Sequence, residues 1–245
     1  MLSRVFPDCS PLGRENKLIC IIVLAAGFSS RFGKNKLLER INGQTLIEKV
    51  VKSAVSSKAD ETTVVVGYEA EKIMEVLKGV NCKIVFNKDF RTGQSSSVKA
   101  GVSSVRDYAD AVLIHPGDVA LITPKAIDMV IEDYKKFRNP ITVAGYKGRA
   151  GHPILFDRSL FDELMEINEE TYGLKAVVSR HRDTVRIVDV GSEEVLIDID
   201  TREDFEKYMG KKTHVINPSQ QGFKHYLAKA IHKWSDTGRG SCTSA

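Results

Sequence analysis

Three observations predict the fold class of this chain: an α/β, Rossmann-like three-layer sandwich, built as a single domain around a mostly parallel central sheet. Leu18-Ile19-Cys20-Ile21-Ile22-Val23 is an unbroken apolar run, the pattern of a strand buried on both faces of a parallel sheet. Behind it, strand-like and helix-like segments alternate through most of the chain, the rhythm of β-α-β crossovers. The first run also feeds a glycine- and serine-rich loop, Leu24 to Lys36. Doubly wound sheets hold their ligands there, at the carboxyl ends of strands.

Each element has a local reason. Gln44 to Val55 sets Leu46, Ile47, Val50, Val51 and Ala54 on one helical stripe. Thr62 to Val66 is a β-branched strand, Glu69 to Leu77 a helix facing Ile73, Val76 and Leu77 inward, and Cys82 to Phe86 the next strand. Ser95 to Arg106 is expected as a helix, with the hydroxyls of Ser95 to Ser97 at its start. Ala111 to Ile114 is a buried strand ending at His115-Pro116-Gly117-Asp118. Thr123 can cap a helix over Pro124 to Phe137, with proline in its first turn. Ile141–Ala144 and Pro153–Phe156 are expected as strands flanking a loop from Gly145 to His152. Ser159–Asn168 and Leu174–Ser179 follow as helices, Val185–Val188 and Val195–Ile199 as strands, and Thr201–Tyr208 as a closing helix.

No internal repeat or low-complexity linker divides the chain, so one domain is expected over residues 18–210, followed by a tail over 211–245. In the tail, Phe223, Tyr226, Leu227, Ala230, Ile231 and Trp234 fall at helical spacing among Lys224, Lys229 and Lys233. Such a helix either docks on a partner or an acidic membrane surface, or folds back on its own domain.

Composition narrows the function classes. With 245 residues, 42% hydrophobic and 28% charged, the chain has ample material for a core. A net charge of +4 is too small to argue for nucleic acid, though it suits a polyanionic small molecule. Cys9, Cys20, Cys82 and Cys242 show no metal-binding spacing, which predicts reduced thiols in a cytoplasmic protein. The apolar run at 18–26 is too short to span a membrane, and residues 1–17 lack a signal-peptide pattern.

The loop carries the chemistry. Gly27 and Gly33 let backbone N–H groups approach a ligand, and Ser29 and Ser30 add hydroxyls. Arg31, Lys34 and Lys36 lie within six residues and repel one another unless something strongly anionic sits among them. A triphosphate is the expected ligand. The loop is not a P-loop, because Gly27 to Gly33 is one residue too long and Asn35 replaces the required hydroxyl. It is not a dinucleotide fingerprint either, because position 29 is Ser.

Further carboxylates frame it. Asp118 stands just past a buried strand, placed either to tether Mg²⁺ to a triphosphate or to serve as a turn residue. Asp198 and Asp200 share one face of an expected strand; Asp200 fits a metal ligand or a cap for the closing helix. Gly93-Gln94-Ser95-Ser96 leads into a helix N-terminus, whose free N–H groups suit a base or ribose edge. His115 and His152 are read as structural hydrogen-bonders without a proton-transfer role.

The loop agrees at every specified position with L-A-A-G-x-S-x-R-x-G-x-x-K, through Leu24, Ala25, Ala26, Gly27, Ser29, Arg31, Gly33 and Lys36. Together with Asn87 to Gly101, Gly117-Asp118, Gly145 to Phe156, Gly173 to His181 and Asp198 to Asp204, it resembles the MobA-like nucleotidyltransferase family. Within that family the chain is similar to the molybdenum cofactor cytidylyltransferases. The resemblance implies a fold of the glycosyltransferase-A/nucleotide-diphosphosugar transferase type. It also implies transfer of CMP from CTP to the terminal phosphate of molybdenum cofactor (molybdopterin), with release of pyrophosphate. Arg31 and Lys36 would act on the triphosphate as catalytic cations. Leu24 to Gly27, Ser29, Ser30 and Gly33 would bind the nucleotide, and Gly93 to Ser96 its base. Asp118 and Asp200 would hold Mg²⁺, and Gly151, His152, Pro153 and Lys175 would contact the acceptor.

Guanylyl-transferring relatives resemble L-A-G-G where this chain has Ala26, which points to CTP. Lys175 stands where arginine is usual, and Arg202 where proline is usual. A molybdenum hydroxylase apo-enzyme is the implied partner. The competing readings are a nucleotidyltransferase for a sugar phosphate or methylerythritol phosphate, and a non-catalytic cofactor carrier. The intact set of Arg31, Lys36, Asp118 and Asp200 argues against the carrier.

Overall fold

The first apolar run becomes the central strand of the sheet. All seven residues of Ile19–Ala25 are buried, and they alternate between two cores. Ile19, Ile21, Val23 and Ala25 face one, and Cys20, Ile22 and Leu24 the other. A fully buried aliphatic side chain contributes about 1.5–3 kcal/mol relative to exposure, so this strand anchors both faces. The structure, a computed structural model, describes residues 17–41 and 43–209. Cys9, Cys242 and the amphipathic stretch from Phe223 to Trp234 lie outside the described residues.

In chain order the elements are β1 (Ile19–Ala25), β2 (Arg40–Ile41), β3 (Gln44–Thr45), α1 (Leu46–Val55), β4 (Glu61–Val66), α2 (Ala70–Val76), β5 (Lys83–Phe86) and α3 (Gln94–Ser103). Then come β6 (Ala111–Pro116), α4 (Pro124–Phe137), β7 (Ile141–Tyr146), β8 (Arg149–Asp157), α5 (Phe161–Glu166), α6 (Leu174–Arg180), β9 (Val185–Asp189) and α7 (Arg202–Met209). Seven strands make one sheet in the order β5-β4-β1-β6-β8-β7-β9, while β2 and β3 form a separate small ladder. Only β8 runs against its neighbours in the large sheet. Residues of α1, α2 and α4 pack into one core, and residues of α3, α5 and α6 into the other. This is the expected three-layer, mostly parallel sandwich.

Caps explain the helix starts. Thr45 accepts from the Glu48 N–H at 3.3 Å while Glu48 accepts from the Thr45 N–H at 2.8 Å, a reciprocal box at the head of α1. Thr123 accepts from the Ala126 N–H ahead of Pro124 in α4, as expected.

Three expectations need correction. The helix read from Gln44 begins at Leu46, because Gln44–Thr45 pairs with Arg40–Ile41. The expected loop from Gly145 to His152 is a tight hairpin instead, turned by Lys147 (φ 48°) and Gly148 (φ 76°), the left-handed pair that matches strand twist. That places Gly145, Gly151 and His152 within strands. Finally, Val195–Ile199 is not a strand. Glu193–Leu196 is a 3-10 turn that crosses β8 so closely that a Cβ on Gly151 would lie 2.2 Å from the Val195 carbonyl oxygen.

Candidate active site

Three chain segments converge at the carboxyl ends of β1 and β6. After Ala25 the chain turns through Ser29 (φ 52°) and a short 3-10 turn, Ser30–Phe32, closed by Gly33 (φ 78°). Phe32 anchors this turn from below, buried against Phe205 of α7 with ring centroids 6.0 Å apart. Asn35 then caps a second 3-10 turn by accepting from the Leu37 N–H, which sends Lys36 inward. Beside it, the Gly117 N–H donates to the Leu24 carbonyl at 2.9 Å. A Cβ on Gly117 would meet that oxygen at 2.9 Å, so glycine lets the Asp118 turn close against β1. The Ile199 N–H donates to the Asp118 carbonyl at 3.0 Å, which brings the third segment alongside.

The side chains meet as charge pairs. Lys36 Nζ donates to Asp118 Oδ2 at 2.7 Å and to Asp200 Oδ1 at 3.2 Å. Arg31 Nη1 pairs with Asp200 Oδ2 at 2.9 Å. The Lys36 side chain is only 10% exposed, and a buried ammonium is tolerable because two carboxylates compensate it. The open question over Asp200 is answered by α7. Its cap is Thr201, which accepts from the Asp204 N–H while Asp204 accepts from the N–H groups of Asp200 and Thr201. The Asp200 carboxylate is thereby left to face the cations. Arg202 simply opens the helix where proline was expected.

These groups line a cleft of two adjoining lobes, about 320 and 400 Å³, which share Leu24, Arg31, Gln94, Pro116, Asp118 and Asp200. The smaller lobe adds Ala26, Gly27, Ser29, Ser30, Lys36 and Gly93. The larger adds Ser95, His152, Lys175 and Asp198. Five of the anticipated contact residues, Ala25, Gly33, Ser96, Gly151 and Pro153, line neither lobe. Ser96 bonds backward to the Gly93 and Asp89 carbonyls, and Gly151 serves the close crossing of the Val195 segment.

Residues that sequence reasoning did not single out also reach the cleft. Phe28, Phe90 and Arg91 wall the smaller lobe, and Glu169 and Tyr172 the larger. The start of α3 shows why such residues escape notice. No serine side chain caps it; Glu169 Oε1 accepts from the Ser95 N–H at 2.7 Å across 74 residues of sequence. The Ser95 hydroxyl is itself buried without a partner.

Burial sets the protonation of the larger lobe and of His115, which lines neither lobe. Asp198 is pushed up to about 7, first by burial and then by the charges of Asp118 and Asp200. His152 falls to about 4 by burial. His115 falls to about 3 by burial and by His152, and its Nε2 lies 3.1 Å from the Val119 carbonyl. Both imidazoles are neutral at neutral pH; His115 meets the Val119 carbonyl, as a structural hydrogen-bonder should, whereas the Nδ1 of His152 is buried without a partner. Among the described residues no three His, Cys, Asp or Glu side chains form a metal-binding group. Asp118 and Asp200 are a pair of hard oxygen donors already gathered around one cation. Such a pair fits a magnesium ion whose remaining ligands are substrate phosphates and water.

A cleft with paired cations and carboxylates at the strand ends of a mostly parallel sheet defines a nucleotide-handling transferase. The comparisons give the family: residues 21–185 match the MobA-like NTP transferase domain, so the chain belongs to that family of nucleotidyltransferases. It is 27% identical over 195 residues to a probable molybdenum cofactor guanylyltransferase of Thermococcus sibiricus, covering 77% of this chain and 96% of that protein. It is 26% identical over 185 residues to the molybdenum cofactor cytidylyltransferase of Escherichia coli, covering 75% and 92%. Similarity to the bifunctional protein GlmU of a Cyanothece strain is 27% over 128 residues, 51% of this chain but only 28% of that longer protein. Among solved structures, Rv0371c from Mycobacterium tuberculosis superposes with a TM-score of 0.71 at 25% identity, covering 80% of this chain and 98% of that one. Among the described residues no helix is long and apolar enough to cross a membrane.

Proposed function

We propose that this chain transfers CMP from CTP to the terminal phosphate of molybdenum cofactor, releasing pyrophosphate. The observation that carries the proposal is the corner where the two lobes join. There Arg31 and Lys36 face Asp118 and Asp200 between a loop that fits a triphosphate and a second, larger cavity for an acceptor. The acceptor class is supported by two relatives named for molybdenum cofactor that align over nearly their whole length. The choice of CTP rests on Ala26 in the L-A-A-G start of the loop.

The chemistry suits this machinery. An oxygen of the acceptor's terminal phosphate attacks the α-phosphorus in line. The bond from the α-phosphorus to its bridging oxygen breaks, and pyrophosphate leaves with the electron pair. The nucleophile is already ionised, so no general base is required, and the neutral His115 and His152 are not asked to supply one. Catalysis reduces to positioning and charge neutralisation. Arg31 and Lys36 neutralise charge growing on the leaving group, which requires them to exchange carboxylate partners for phosphate oxygens. Asp118 and Asp200 would hold Mg²⁺, whose bound charge would polarise phosphate oxygens. A molybdenum hydroxylase apo-enzyme is the recipient this reading implies, and the cytoplasm its setting.

The test is pyrophosphate release from CTP, GTP, ATP and UTP in parallel, in Mg²⁺, with and without molybdenum cofactor. Cofactor-dependent release with CTP is expected. Release with GTP instead would move the chain to the guanylyl reaction, and CTP binding without any release would remove molybdenum cofactor as the acceptor.

A further inference from the structure

The geometry points to a stacking platform for the nucleobase, formed by the Phe28 ring and the Arg91 guanidinium, which adds affinity for any nucleotide and discriminates among none. This rests on the reading that the smaller lobe takes a nucleoside triphosphate, and makes no use of the acceptor.

Phe28 projects from the phosphate loop itself, between Gly27 and Ser29, and stays 37% exposed although it is a large apolar ring. Phe28, Phe90 and Arg91 line the smaller lobe and not the larger. The Arg91 guanidinium carbon lies 5.3 Å from the Phe28 ring centroid and 5.2 Å from that of Phe90. The two rings are 5.2 Å apart, and Phe28 is backed by Tyr68 at 5.1 Å. Among the described residues Arg91 makes no ion pair, in contrast to Arg31, and its guanidinium sits over aromatic rings and not beside a carboxylate. The backbone is built around this cluster. A Cβ on Gly67 would lie 2.6 Å from the Cβ of Phe90, so any side chain at position 67 would displace the ring and the arginine on it.

Flat groups held over a cleft wall in this way are what a base stacks on. Every base has a π face, so aromatic stacking adds affinity without reading sequence, and arginine contributes a cation–π share. The division of labour in the lobe follows. Arg31 and Lys36 take the phosphates, Phe28 and Arg91 take the face of the base, and selection among bases falls to groups that meet its edge, such as Gln94.

Calorimetric titration of wild type, Phe28→Leu and Arg91→Gln tests this, using CTP, GTP, ATP, UTP and inorganic tripolyphosphate in Mg²⁺. Phe28→Leu keeps the apolar bulk and removes the π face. Each variant is expected to bind every nucleotide that wild type binds about tenfold more weakly, with the order of preference unchanged and tripolyphosphate affinity unaltered. Unaltered nucleotide affinity would overturn the platform. So would an equal loss with tripolyphosphate, which would make Arg91 a phosphate ligand, or a loss confined to one base, which would make the contact an edge reader. Should Arg91→Gln fail to fold, Phe28→Leu alone decides. No acceptor enters the titration, so an error in the proposed acceptor leaves the result untouched.

Discussion

The two lobes of the cleft are assembled in opposite ways. The phosphate corner of the smaller lobe draws Arg31 and Lys36 from one short loop, and its charges are compensated in pairs: Lys36 by Asp118 and Asp200, Arg31 by Asp200. The larger lobe gathers Gln94, His152, Glu169, Tyr172, Lys175 and Asp198 from separate parts of the chain. There burial leaves His152 neutral, raises Asp198 and lowers Lys175. A ligand entering the corner trades one set of strong ion pairs for another, whereas a ligand entering the larger lobe meets Glu169, Lys175 and Asp198 beside the shared Arg31, Asp118 and Asp200. The difference teaches that the cations of the site come from one local motif, whereas every group that meets them is brought by tertiary assembly.

The largest effect should come from the corner. Lys36→Ala is expected to lower kcat by at least two orders of magnitude, about 3 kcal/mol, the scale of one lost electrostatic transition-state contact. Pyrophosphate release under saturating substrates measures it. Near-normal turnover would show that the pairing with Asp118 and Asp200 is structural and the comparison misplaced.

That contrast also decides how much was legible in the sequence. The β-α-β order, the central strand and the cation-bearing loop follow from local pattern, since their residues are near neighbours along the chain. The Asp198–Asp200 alternation was readable too, because Ile199 is buried between two partly exposed carboxylates. The strand drawn around them was not, since the segment forms a 3-10 turn packed against Gly151 of a distant strand, a contact that local pattern does not announce. The β7–β8 hairpin hid behind Lys147-Gly148, a weaker turn signal than Asn-Gly. Glu169 on the start of α3 and Arg91 on Phe28 were illegible for the same reason as the larger lobe. Nothing near them in sequence names their partners.

A second prediction uses pH on His115, which is fully buried near the end of β6 and lines neither lobe. His115 titrates at 6.5 in the unfolded chain and about 3 in the fold, so between those values only the unfolded chain binds the proton. The stability it contributes is complete above pH 6.5 and is lost as pH falls toward 3. At pH 4.5, two units below the unfolded value, that loss is about 3 kcal/mol for this buried group. Denaturant unfolding at pH 7 and pH 4.5 should therefore show a smaller difference for His115→Gln than for wild type, by about that amount. An unchanged difference would mean that His115 is not held neutral.

A smaller effect should mark the acceptor side alone. Lys175 lies in the larger lobe, where burial lowers its pKa. Lys175→Ala is expected to raise the KM for the acceptor about tenfold, about 1.4 kcal/mol, with the KM for CTP within twofold of wild type. A matched rise for CTP would erase the boundary drawn between the lobes.

The smallest effect tests whether the corner depends on the scaffold beneath it. The loop returns to the sheet through α1, where the Leu46 N–H donates to the Glu39 carbonyl at 3.0 Å, one residue after the Thr45 cap. Thr45→Ala removes the hydroxyl from the capping box and should lower stability by about 1 kcal/mol, or about 2–4 °C in Tm for a domain of this size. Lys36 is held by two carboxylates and by the Asn35 turn, none of which needs the hydroxyl of Thr45. The kcat of Thr45→Ala should therefore stay within twofold of wild type. A tenfold fall in kcat with the same small change in Tm would show that the loop is set by α1 and not by its own ion pairs. The cations of the corner would then be positioned from outside their own loop, as the groups of the larger lobe are.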